Sequence, residues 1–234
     1  MKYYSLLTVS DDATKMVTII SVIACIVLLA IIVLLCVKNK KDGGRVETKH
    51  IAFAGVALGL SFVLSYVKVS PVVYGGSITL ASFVPVLLYA YVYGAGEGLL
   101  VGLIFGLLNF ISGPYILTPM TFVLDYLLAF SSIAVIGFFG KGKLAKKSTA
   151  GAFTLGCIAV YALRFVFHLF SGFIYFAQDA VWVEFPAWAM DGAFVYSFLY
   201  QCVYLPADCF IACVVGLLLA KSGVLQRLEY SMKK

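Results

Sequence analysis

Leu124-Asp125-Tyr126-Leu127-Leu128-Ala129-Phe130 sets one carboxylate inside an apolar run that extends from Thr121 to Phe139. A charge is expensive in hydrocarbon, so Asp125 is expected to face a bundle interior, a partner or a ligand rather than lipid. At 63% hydrophobic and 12% charged residues, with a mean hydropathy of +1.04, the chain lies far outside the range of soluble domains. An all-α, polytopic membrane protein fits this composition. Seven apolar runs in 234 residues leave almost no chain for a soluble domain. No phosphate loop of the GxxxxGKS or GxxxxGKT kind is present, so any ATP energy has to come from a partner. Neither a cofactor nor a nucleic-acid partner is expected.

The first run, Met16 to Val37, is long enough to span a bilayer. Its positive cluster (Lys38, Lys40, Lys41, Arg45, Lys49) follows the apolar stretch, which is the reverse of a signal peptide. Residues 1–47 therefore read as an extra transmembrane helix with a basic linker, and residues 48–234 as the substrate-binding membrane domain. The second run, Ile51 to Val67, is rich in small residues. Gly55 and Gly59 are four apart, as are Ala57 and Ser61, and with Ala52 they make smooth faces. Such faces serve either packing inside the bundle or docking of a partner helix.

A loop over Lys68–Ser77 precedes the run Ile78–Tyr93, which is expected to be a helix. The turn Gly94-Ala95-Gly96-Glu97-Gly98 joins it to Leu99–Ile111. Beyond Asp125 a second basic cluster (Lys141, Lys143, Lys146, Lys147) leads into Ala150–Phe176, which carries Arg164 and His168. An acidic segment, Ala177–Ala193, holds Asp179, Glu184 and Asp191 with Trp182 and Trp188. The last run, Phe194–Ala220, contains Asp208 and ends on Lys221 and Arg227. With seven spans, all three basic clusters fall on one side, which the positive-inside rule makes cytoplasmic. The chain is thus expected to be multi-pass in the cell membrane, with its N-terminus outside and its C-terminus in the cytoplasm.

Measured from the basic clusters at about 1.5 Å per residue, Asp125, Arg164 and Asp208 lie roughly 24, 20 and 20 Å up, and His168 about 6 Å beyond Arg164. Arg164 and His168 are four apart and share a helix face with Tyr175, with Ser171 or Gly172 between them. Tyr196 and Tyr200 repeat at four on the last run, next to Gln201. Arg164 and Asp208 read as a structural ion pair, because a lone arginine in lipid is costly. Two acids to one arginine leave Asp125 unpaired. A carboxylate among Tyr126, Tyr175, Phe176 and Tyr196 suits a small, flat cation, through charge and cation–π attraction. The six cysteines all lie in apolar runs, and Cys209-x-x-x-Cys213 is not a CxxC pattern, so neither a disulfide nor a metal is expected.

Several separated motifs resemble a known family. Gly75-Gly76-Ser77-Ile78 followed by Pro85, Gly113-Pro114-Tyr115-Ile116-Leu117, Leu124-Asp125-Tyr126 with Ala129-Phe130, and Arg164, His168, Ser171-Gly172, Phe176 and Tyr196-Ser197 are similar to the thiamine-specific S-components of energy-coupling factor transporters. The resemblance covers about residues 48–220. It implies a six-helix core that binds thiamine from outside and docks on a transmembrane coupling protein with two ATPases. It also implies ligand contacts at Asp125, Tyr126, His168, Gly172, Phe176 and Tyr196. Gln201 stands where the family commonly has Asn, and Gly76 stands near a position that can be Trp. A precursor pyrimidine is therefore a second possible ligand. The face of Ala52, Gly55, Ala57 and Gly59 resembles the segment by which S-components meet the coupling protein. A stand-alone proton-coupled carrier is the rival reading. A membrane enzyme is the weaker one, since no nucleophile–base pair or metal-ligand cluster is apparent in the sequence.

Overall fold

In hydrocarbon every backbone N–H and C=O must find its partner within the protein, which leaves the helix as the default for each apolar run. The computed structural model describes residues 48–71, 76–113, 119–173 and 193–232, together with Ile23, Val27 and Ala30, and within these the chain is mostly helical. Five helical segments are long and apolar enough to cross a membrane. They are α1 (Thr48–Ser65), α3 (Ala95–Ser112), α4 (residues 119–140), α6 (Thr149–Ser171) and α7 (Ala193–Lys221). A shorter apolar helix, α2 (Val84–Tyr93), lies between α1 and α3, so a six-helix core is present. Short α5 (Lys143–Lys147) and amphipathic α8 (Val224–Met232) complete the described helices. The run Met16–Val37 lies outside the described residues apart from Ile23, Val27 and Ala30, which are helical.

The expectation of one helix over Ile78–Tyr93 is corrected. Lys68–Pro71 (β1) pairs antiparallel with Ser77–Thr79 (β2), Lys68 opposite Thr79 and Pro71 opposite Ser77. Ala81 then takes a left-handed φ of 58°, and the helix starts only at Val84, with Pro85 in its first turn where a missing N–H costs nothing. At ten residues, or about 15 Å, α2 is too short to cross a bilayer by itself. A short apolar run does not distinguish strand from helix by periodicity, and here Ile78 and Thr79 went to the strand.

The interior is built on close backbone approach. A Cβ at Gly106 would run into the Tyr126 carbonyl, so α3 lies directly against the stretch of α4 that holds Asp125. That stretch, Val123–Leu128, is a π-helix, a widened turn often found at functional sites. Phe83, Phe105, Phe130 and Tyr161 form the aromatic core beneath it, with ring centroids 5.3–5.7 Å apart. The most extensive helix pair is α6 with α7. One end of the bundle gathers the start of α1, the end of α2 and the start of α3. There Tyr89 Oη donates to Glu97 at 3.1 Å and His50 Nδ1 lies 4.0 Å from Glu97, while the Lys141 side chain covers Gly94. Tyr91 Oη donates to the Thr149 carbonyl, so the start of α6 belongs to the same end.

Candidate functional site

The opposite end holds a cavity of about 250 Å³. The β-hairpin, the end of α3, the π-turn of α4, the end of α6 and the first turns of α7 line it. Asp125, Tyr126, His168, Gly172, Tyr196 and Gln201 all line this cavity, and so do Arg164 and Asp208. Tyr175 and Phe176 lie outside the described residues.

The two acids have different surroundings. Asp208 is 3% exposed, and a backbone amide, two hydroxyls and a guanidinium surround its carboxylate. Oδ1 accepts from Thr79 N at 3.0 Å and Thr79 Oγ1 at 2.9 Å; Oδ2 accepts from Tyr161 Oη at 2.8 Å. Arg164 Nη1 stands 3.7 Å from the same Oδ2, and its guanidinium carbon lies 4.1 Å from the Phe83 ring centroid and 5.1 Å from that of Phe130. Asp208 thus fastens the hairpin to α7, with the arginine's charge spread over aromatic faces.

Asp125 is not bonded to Arg164, yet it is not unpaired as the sequence reading expects. Its Oδ1 is 2.7 Å from His168 Nδ1, and Oδ2 accepts from Ser171 Oγ at 2.5 Å. A carboxylate held largely out of water needs hydrogen bonds, and α6 supplies them one turn apart. Each oxygen keeps a further lone pair, so the group can still accept from a ligand. His168 Nε2 is buried with no hydrogen-bond partner, as is Arg164 Nε. Both residues line the cavity.

The serine, histidine and aspartate here do not form a nucleophilic triad. Ser171 donates to the carboxylate, not to the imidazole, so the serine–histidine contact that defines such a triad is missing. The remaining groups shape the cavity. Gln201 Nε2 donates to the His168 carbonyl at 3.3 Å while its Oε1 accepts from Tyr204 Oη at 2.7 Å, tying α7 to α6. A Cβ at Gly172 would collide with Ser197 Oγ, so this glycine lets α6 close on α7 beside the cavity. Tyr126 Oη donates to the Gly113 carbonyl at 3.3 Å, and its ring packs against Phe110 and Phe122.

Sequence reasoning missed Thr79, Ser82, Phe83, Asn109 and Lys68 as lining residues. Asn109 carried a usable signal, a lone amide in the apolar run Leu99–Ile111. Thr79 and Ser82 did not, because the run that contains them read as a membrane helix. Of the small-residue positions on α1, Ala57 is buried in the core, with Ser61 on the same face. Its methyl group therefore packs inward against the bundle. Ala52, Gly55 and Gly59 are exposed, and nothing lies within 4 Å of a Cβ built at Gly55 or Gly59. The cysteines also differ from expectation in one respect. Cys157 of α6 meets Cys209 and Cys213 of α7, a convergence hidden from a spacing rule that looks along one segment.

Residues 51–226 match the thiamine transporter protein family Thia_YuaJ. The thiamine transporter ThiT of Bacillus subtilis (strain 168) is 30% identical over 152 residues, which cover 62% of this chain and 74% of that protein. The fold is similar to that of ThiT from Listeria monocytogenes, with a TM-score of 0.64 at 23% identity over 77% of this chain and 96% of that one. These relatives are transport proteins and not enzymes. With most of its length matched by the family's pattern, the chain is a multi-pass membrane protein that belongs to the thiamine transporter protein family.

Proposed function

We propose that the chain is the thiamine-binding membrane subunit of an ATP-driven energy-coupling factor importer, with its site open to the outside. Asp125 accepts from the aminopyrimidine of thiamine and balances the charge of its cationic ring. His168, Gly172, Tyr126 and Tyr196 line the bound vitamin, Gln201 braces that wall, and Tyr175 and Phe176 are carried from the sequence reading as further contacts. The observation that carries this reading is Asp125 itself. It sits at the cavity wall, oriented by His168 and Ser171, while the arginine is engaged with the other acid. The basic clusters mark the cytoplasmic side, which leaves the N-terminus outside, the C-terminus inside and the cavity facing out. Residues 1–47 serve as an appended anchor. The exposed face of Ala52, Gly55 and Gly59 meets a transmembrane coupling protein, whose two ATPases drive release inward.

Titration calorimetry with purified, ligand-stripped protein tests the binding claim. One thiamine per chain at submicromolar Kd is expected, with weaker binding of the isolated pyrimidine. Saturation by the pyrimidine alone, with no gain from the thiazolium ring, would reassign the ligand to a precursor. The 2.7 Å contact of His168 with Asp125 favours one second reading, a proton-coupled carrier that needs no partner. Proteoliposomes holding this chain alone discriminate: uptake abolished by a protonophore supports the carrier, and uptake that requires the ATPase module supports the importer.

A further inference from the structure

Three of the four described cysteines converge at a place the ligand cavity does not use. Cys157 projects from α6, and Cys209 and Cys213 stand one turn apart on the facing side of α7. Their sulfurs all lie within 4.8 Å of one another, with Cys209 and Cys213 Sγ 4.0 Å apart. Cys157 is buried, and the other two are partly buried.

We propose that Cys157, Cys209 and Cys213 form a binding site for one soft, monovalent metal ion, Cu⁺, held by three sulfurs between α6 and α7. The geometry fits with little movement. An ion about 2.3 Å from each of three sulfurs sits in a triangle roughly 4.0 Å on edge. One edge of the triangle already has that length, and the others fall within 4.8 Å. Sulfur ligands select soft ions such as Cu⁺ over harder ones. Zn²⁺ calls for a fourth ligand, and no His, Asp, Glu or further Cys joins the cluster among the described residues. The coordinating sulfurs are thiolates, since a thiol is a poor metal ligand. Each sulfur that coordinates as a thiolate releases one proton. An ion bound here ties together the two helices that carry His168 and Gln201. The inference is independent of which solute the cavity holds.

The test uses the full chain in detergent with Cys25, Cys36 and Cys202 changed to serine, so that only the cluster remains. Under anaerobic conditions Cu⁺ is supplied as its acetonitrile complex and competed with bicinchoninate. The expected result is one Cu⁺ per chain withheld from the chelator, with a thiolate-to-metal ultraviolet band. Cys157→Ser, Cys209→Ser and Cys213→Ser should each weaken binding by at least about 100-fold, more than the loss of a group that merely supports a ligand. The alanine variants, which remove the sulfur without adding a polar atom, should behave alike, with helicity by circular dichroism retained. All Cu⁺ passing to the chelator would overturn the site. So would an unchanged affinity in any one of the three variants. Retention of Zn²⁺ in preference to Cu⁺ under the same competition would overturn the assignment to a monovalent ion.

Discussion

Asp125→Asn is the sharpest perturbation of the cavity, because it removes a charge while keeping the shape of the side chain. The carboxylate holds His168 Nδ1 at 2.7 Å and Ser171 Oγ at 2.5 Å, and it faces the space a ligand would fill. A hydrogen bond from a ligand amine to a charged acceptor contributes about 1.5–3 kcal/mol. A cationic ring about 6 Å away adds roughly 3 kcal/mol at an effective dielectric near 20. The amide keeps a neutral hydrogen bond of about 1 kcal/mol. The net loss is therefore about 3.5–5 kcal/mol, or roughly 300- to 4,000-fold in Kd. Folding should suffer less, since the imidazole can present its other tautomer to the new amide. Calorimetric titration with thiamine, run beside thermal unfolding of both proteins, checks the two halves. A folded Asp125→Asn protein whose Kd stays within threefold of the parent would refute the role of the carboxylate.

The second acid should behave in the opposite way. Asp208→Ala strands a buried Arg164 and frees Thr79, so thermal unfolding should show a loss of about 3–5 kcal/mol in stability. Ser171→Ala removes one of the two bonds that orient Asp125; titration should show roughly a fivefold weaker Kd, equivalent to about 1 kcal/mol. Gly106→Ala should destabilise by about 1–3 kcal/mol or more, because the new methyl meets the Tyr126 carbonyl. Gly55→Ala and Gly59→Ala, in open space on α1, should leave unfolding unchanged or slightly raised, and a pull-down of the coupling protein should report their effect instead. For orientation, a single cysteine at Lys146, in a chain otherwise free of cysteine, should react with an impermeant thiol reagent only from the cytoplasmic side.

How much of this was legible in the sequence differs from residue to residue. Composition and run lengths are sufficient for the membrane bundle, because hydrocarbon allows few alternatives to the helix. Asp125, Arg164, His168 and Asp208 stand out because charge inside an apolar run is rare, and depth arithmetic puts all four at one level. Pairing is where that arithmetic stops. Nothing local tells that Asp125 takes Ser171 and His168, or that Asp208 takes Thr79 and Tyr161, since those partners lie on other elements. The hairpin is hidden for a different reason. Ser77-Ile78-Thr79 leads straight into the apolar stretch that becomes α2, and the left-handed Ala81 is not a glycine that would announce the break. The π-turn at Val123–Leu128 is equally silent: it contains no helix-breaking residue, and Gly106, which packs closely against it, lies on another helix.

A structure of the purified protein soaked with thiamine tests the central claim most directly. The vitamin should lie in the cavity between the hairpin and the ends of α6 and α7, with its aminopyrimidine within hydrogen-bond distance of Asp125 and its cationic ring among the aromatic side chains. Thiamine bound away from Asp125, or a cavity left filled with water at saturating vitamin, would contradict it.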